Sequence, residues 1–249
     1  MKIRLASAGV HFLVSAFIIS LFLSVVYFVW YPSPFDTMHS VFDAVIIVLV
    51  VDLVLGPFLT FVVFNVKKPR SELIRDLSII FLIQISAFIW GIYITYDMRP
   101  SFLVFQGDTF YSVINKDIDS GKLKENISLP AIWQQPKLVY IEPLTGGAGV
   151  KFMENIMENG GEGLFYDAEK YQPLLKEKGN TFLKDVINHK IEMKILLRSE
   201  VNKLAVEEFL QSHGGVIEDY LFFPVENGNE YVGIIVFNKS DFSVSGVFN

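Results

Sequence analysis

The sequence predicts a membrane protein in which three transmembrane α-helices carry a C-terminal extracytoplasmic α+β domain with a small, mainly antiparallel sheet. Three observations predict this. Residues 8–31, 41–64 and 77–96 are apolar runs of 20 residues or more. Lys and Arg cluster in alternate flanks of those runs. The composition changes abruptly after Tyr96. The expected domains are residues 1–96, three spans, and residues 97–249, the outer domain.

About 20 apolar residues suffice for a helix to cross the hydrocarbon core. Buried helices of a soluble protein are the competing reading, but three such runs in succession with so few charges argue against it. Residues 1–96 hold six Lys and Arg against five Asp and Glu, a balance of +1. Residues 97–249 hold 15 against 22, a balance of −7. That acidity argues against nucleic acid as a partner, which needs concentrated basic charge. The absence of cysteine excludes disulfides, thiolate metal sites and cysteine nucleophiles.

The first run follows Lys2 and Arg4, as a signal peptide would. It is longer than a signal core, lacks a clear cleavage site and ends in Trp30 and Tyr31, which suit an interfacial belt. It is expected to stay as an anchor.

Charge gives the direction. The loop after the second run carries Lys67, Lys68, Arg70 and Arg75 against Glu72, whereas residues 31–40 hold Asp36 and no Lys or Arg. Positive loops stay in the cytoplasm. The N-terminus and the basic loop are therefore expected inside, and the outer domain outside, which in a bacterium means the inner membrane facing the periplasm. The basic loop also suits anionic lipid.

The second run contains Asp52, Gly56, Pro57 and Thr60. A carboxylate at mid-membrane depth is costly and turns toward protein or water. Asp52, Gly56 and Thr60 recur every four residues, so they share a helix face, and Pro57 predicts a kink. Small and polar residues on one face let another helix approach closely. The seam admits three readings: bonding within the bundle, for instance from Asp52 to Gln84; docking of a partner's helix; or ion relay.

In the outer domain, alternation predicts strands at 102–105, 110–114 and 138–141, and a hairpin of 216–225 and 230–237 turning at Asn227–Gly228. A final strand is expected at 242–248. Helical spacing predicts helices at 150–158, 167–176, 181–189 and 199–213, the last capped by Ser199, lined by Leu204 and Phe209, and ended by Gly214–Gly215. The glycine loop at 145–149 matches neither a P-loop nor a dinucleotide fingerprint. His11, His39, His189 and His213 lack metal-ligand spacing, and no catalytic motif occurs. No catalytic residue, cofactor or metal site is assigned.

The residues MKIRLAS at 1–7 with His11, the segment DLVLGPFLT at 52–60, and KPRSELIRDL at 68–77 followed by Gln84 and Gly91–Tyr93 carry a resemblance. They resemble the type IV pilin accessory protein family, the TfpX/TfpZ group, over residues 1 to about 115. The resemblance implies a non-enzymatic, chaperone-like helper in the inner membrane, assisting the stability, assembly or surface display of a cognate pilin. Its implied partners are that pilin and the lipid bilayer. A membrane-anchored periplasmic sensor or ligand-binding protein is the alternative. The short basic loop, which offers no cytoplasmic output domain, weighs against it.

Overall fold

The structure is a computed structural model that describes residues 1–32, 35–38, 42–144, 146–159, 163–174, 181–196, 200–228 and 230–248. It divides into two compact units: Met1–Trp30 with Ser40–Arg99, and Tyr31–His39 with Pro100–Asn249. In chain order the first helices are α1 (Lys2–Val25), α2 (Phe35–Met38), α3 (Phe42–Leu49), α4 (Gly56–Val63) and α5 (Arg70–Asp97).

The first unit is helical. α1 runs into a π-helical turn at Val26–Trp30. Among the described residues two helices are long and apolar enough to cross a membrane, Lys2–Trp30 and Arg70–Asp97. Their side chains point largely outward: Leu13, Phe17, Phe81, Leu82 and Trp90 are all exposed. A core helix of a soluble protein would bury such residues. The expected second span is a succession rather than one α-helix. α3 passes into a π-helical stretch, Val50–Leu55, before α4 begins. There the Gly56 N–H donates to the Val51 carbonyl, five residues back. Pro57 explains the local change. It supplies no N–H and its ring crowds the carbonyl four residues earlier, so the helix loosens by one residue instead of keeping α register.

The second unit is built on a seven-stranded sheet: β1 (Pro100–Gln106), β2 (Thr109–Ile114), β3 (Lys137–Tyr140), β4 (Gln172–Pro173), β5 (Tyr220–Asn227), β6 (Glu230–Asn238) and β7 (Val244–Phe248). Their spatial order is β4-β3-β1-β2-β5-β6-β7. The sheet is mixed, with two parallel pairings that the expectation of a small, mainly antiparallel sheet did not specify. β1 pairs with β3, and β2 with β5, in parallel. The remaining four pairings are antiparallel. Parallel neighbours need long crossovers, and residues 107–136 and 115–219 provide them.

The interior strands are buried on both faces. Leu103, Phe105, Phe223 and Phe237 pack on one side with Val186 and Phe242. Phe102, Val104 and Val139 pack on the other with Leu164, Phe165 and Tyr171. Both-sided burial explains why these strands read as nearly continuous apolar runs. Tyr171 donates its hydroxyl hydrogen to the Phe165 carbonyl at 2.5 Å, satisfying a polar group that the core would otherwise penalise. Phe35 of α2 is 2% exposed and belongs to the first of these faces, beside Leu103 and Tyr140 in the cluster. Phe35, expected to lie in the loop at 31–40, thus contributes to the sheet's core.

Helices α6 (Gly147–Asn159), α7 (Thr181–Asn188), α8 (Met193–Leu196) and α9 (Glu200–His213) complete the unit. The predicted helix at 167–176 is absent over its described part. Ala168–Lys170 forms a 3₁₀ turn, and Gln172–Pro173 becomes β4, pairing with Val139 and Tyr140. Its end at 175–176, the Ser199 cap and Thr145 lie outside the described residues. α9 turns Val206 and Phe209 inward, while Leu204 is exposed, so the predicted apolar face is rotated. Gly228 takes a positive φ of 61°, but Asn227 still pairs with Glu230, so the hairpin turn begins one residue later than the predicted Asn227–Gly228.

Candidate functional site

The seam on the second apolar segment faces inward. Asp52 is 6% and Thr60 4% exposed, and Gly56 is buried. Partners come from the flanking helices. Gln84 Nε2 of α5 donates to Asp52 Oδ1 over a long 3.4 Å. His11 Nδ1 of α1 shares a hydrogen bond of 2.6 Å with Thr60 Oγ1. Gly56 makes room for Gln84: a Cβ there would fall 2.0 Å from Gln84 Nε2. A second glycine contact joins α5 to α3, since a Cβ on Gly91 of α5 would fall 2.0 Å from Val48 Cγ2. Asp52 and Thr60 of the seam thus both have hydrogen-bond partners within the helical unit. His11 was the member that spacing within one segment did not reveal, because it is supplied from another helix.

α1 and α5 flank this seam and meet only toward one end. Phe22 packs edge-on against Phe88, and Trp30 against Tyr96. Arg99 lies 4.4 Å from the centre of the Tyr96 ring. Toward the other end the two helices leave an open groove of about 540 Å³, bounded by Val10, Val14, Ile80 and Phe81, with His11, Thr60 and Gln84 at its floor. A smaller hollow of about 160 Å³ continues it past Asp52 to Ile85 and Phe88. With Thr60 and His11 satisfying each other, the exposed walls of the groove are apolar.

The basic residues divide into two groups. Lys67 shares a hollow of about 560 Å³ with Lys2 and Arg4. Lys68 and Arg75 instead bind Asp76, at 2.8 and 3.3 Å. Arg70 opens α5. Asp76, just beyond the loop as read from sequence, thus tempers part of its positive charge.

Among the described residues no group of three or more His, Cys, Asp and Glu is placed to hold a metal ion. The fold and seam define an apolar helical bundle with a grooved, self-bonded polar centre, joined in one chain to a mixed-sheet domain. Residues 1–40 match the family described as fimbrial assembly protein FimB. The chain is 38% identical over 111 residues to the fimbrial assembly protein of serogroups C1 and C2 of Dichelobacter nodosus, covering 45% of this chain and 85% of that one. It is 36% identical over 129 residues to the serogroup I protein of the same organism, and 38% over 130 residues to the serogroup E1 protein, covering 52% of this chain each time. This chain belongs to the fimbrial assembly protein family. It spans about half the length of the serogroup I and E1 relatives, 49% of each. No solved structure matches it.

Proposed function

We propose that this protein is an inner-membrane accessory factor for fimbrial assembly, of the TfpX/TfpZ kind, acting as a non-enzymatic, chaperone-like helper of a cognate type IV pilin. The observation that carries this reading is the 38% identity to a fimbrial assembly protein of which 85% is covered.

The place of Phe35 supports a three-span topology. That residue belongs to the core of the sheet unit, so residue 35 and the sheet share one side of the bilayer. α5 is long and apolar enough to cross a membrane, and on this reading it crosses once between Arg70 and Asp97. On this reading the segment from Phe42 to Val63 crosses as well, bringing the chain from residue 35 to residue 70. Its 22 helical residues extend about 33 Å, enough for the passage. Lys2, Arg4 and Lys67 share one hollow, and the positive-inside rule supports a cytoplasmic place for it and a periplasmic one for the sheet unit.

The groove between α1 and α5 is the proposed berth for the pilin's apolar helix. Its walls are apolar, and its floor groups already have partners, so a helix laid over them strands no polar group. The sheet unit would then meet the pilin head on the same side of the membrane.

The test has two arms. Deleting the gene is expected to lower pilin level or surface fimbriae. A photo-crosslinker at Val14 or Phe81, on the groove, is expected to capture pilin. One at Ile83, exposed on α5 outside the groove, is not. Adducts unchanged when pilin is removed would sink the docking idea.

A further inference from the structure

Ile132 and Trp133 occupy the tip of a tight turn in the sheet unit. The Gln134 N–H donates to the Ala131 carbonyl at 2.9 Å. The Gln134 side chain closes the same turn by accepting the Ala131 N–H at 2.8 Å. Pro130 and Pro136 flank it and limit its backbone freedom. Turn tips ordinarily carry Gly, Asn, Asp, Ser or Pro. Here the tip is Ile-Trp, with Trp133 72% and Ile132 37% exposed. A stiff turn that holds an indole in water incurs a hydration cost with no return inside its own fold.

Chain connectivity says what lies near it. The turn leads directly into β3, whose first residue, Lys137, pairs with Phe102. β1 and β3 are parallel, so both begin at the same end of the sheet. Phe102 follows Asp97, the last residue of α5, by five residues. At no more than about 3.5 Å per residue, Phe102 lies within roughly 18 Å of that helix end. A second tether agrees. Phe35 follows Trp30, where the first apolar helix ends, by five residues, and it lines one cleft with Gln135, Pro136 and Lys137. The start of β3, with the turn before it, is therefore held at the end of the sheet tied to both apolar helices.

We propose that the Ile132–Trp133 turn is an interfacial anchor that seats the sheet unit on the outer surface of the lipid bilayer. Trp is suited to this depth, with its ring among the upper acyl chains and its N–H among the headgroups. The acidic balance of residues 97–249 gives no electrostatic attraction to anionic lipid, so the contact is apolar and insensitive to salt. The inference rests on the membrane reading above, and the experiment separates the two.

The chain has three tryptophans, Trp30, Trp90 and Trp133. The full chain is reconstituted in phosphatidylcholine vesicles as W30F/W90F, leaving Trp133, and as W30F/W133F, leaving Trp90. Nitroxide is placed either at the headgroup or deep in the acyl chain. The Trp133 emission is expected to be blue-shifted, quenched more strongly by the shallow than by the deep nitroxide, shielded from aqueous iodide and unmoved by high salt. Ile132→Ser is expected to shift Trp133 emission to the red without changing the far-ultraviolet circular dichroism. Trp133 emission typical of water, open to iodide and untouched by either nitroxide, would overturn the anchor. So would protection that arises only when pilin is added, which would make the turn a protein contact. Trp90 reports the membrane reading separately: lipid quenching of Trp90 without quenching of Trp133 defeats the anchor alone, whereas loss of both defeats the spans.

Discussion

Gln84 lies so close over Gly56 that a Cβ on the glycine would fall 2.0 Å from its amide nitrogen. The same amide donates to Asp52, one turn earlier on the same segment. Backbone approach and polar pairing are therefore one contact: α5 reaches the carboxylate because the residue beside it has no side chain.

Gly56→Leu is expected to push Gln84 off Asp52 and loosen the helical unit. Overpacking of this kind costs about 1–3 kcal/mol. Unfolding of the detergent-solubilised protein would read it. Because the crowding atom is the end of a flexible side chain, Gln84→Ala should recover most of the loss in a Gly56→Ala background, a coupling that a double-mutant cycle measures.

Thr60→Val removes the hydroxyl bonded to His11 while preserving the shape of the side chain. Hydrogen bonds between membrane helices average about 0.6 kcal/mol, with values up to about 1.7. The expected destabilisation falls in that interval, and it should vanish in a His11→Ala background. An undiminished effect in that background would show that the hydroxyl acts through another group.

Phe35→Ala should weaken the sheet unit, although the residue precedes β1 by 65 positions. Emptying a fully buried Phe site costs about 3–5 kcal/mol. Limited proteolysis of residues 100–249 in the intact chain should accelerate. Phe28→Ala, at an exposed position on the first apolar helix, should leave that rate unchanged.

Tyr171→Phe tests the buried hydroxyl. The bond to the Phe165 carbonyl contributes about 1 kcal/mol near neutral pH. Burial, helped by the nearby Asp167 charge, pushes the Tyr171 hydroxyl well above the usual phenol range. The unfolded chain therefore loses this proton first as pH rises. The contribution is full below about pH 10, the unfolded value, and declines above it. Denaturation between neutral and strongly alkaline pH should show the native protein losing its advantage over Tyr171→Phe above that point.

The sequence by itself determined where the apolar helices lie. Length and lack of charge are local properties, and they survive folding unchanged at Lys2–Trp30 and Arg70–Asp97. It also located the strands around Phe102–Phe105, Phe110–Ile114 and Glu230–Phe237, since their composition is set by the burial they receive. The four-residue spacing of Asp52, Gly56 and Thr60 was legible because one continuous segment carries all three. Tertiary structure alone decided the rest. His11 meets Thr60 across 49 positions, and Phe35 enters a core made mostly of residues beyond 100. β1 sits between β2 and β3 with one antiparallel and one parallel neighbour. Gln172–Pro173 joins the sheet at its edge, where proline's missing N–H costs no ladder bond. Each of these depends on which distant segments come together. Periodicity records which face of an element is apolar, but not the partner that covers it.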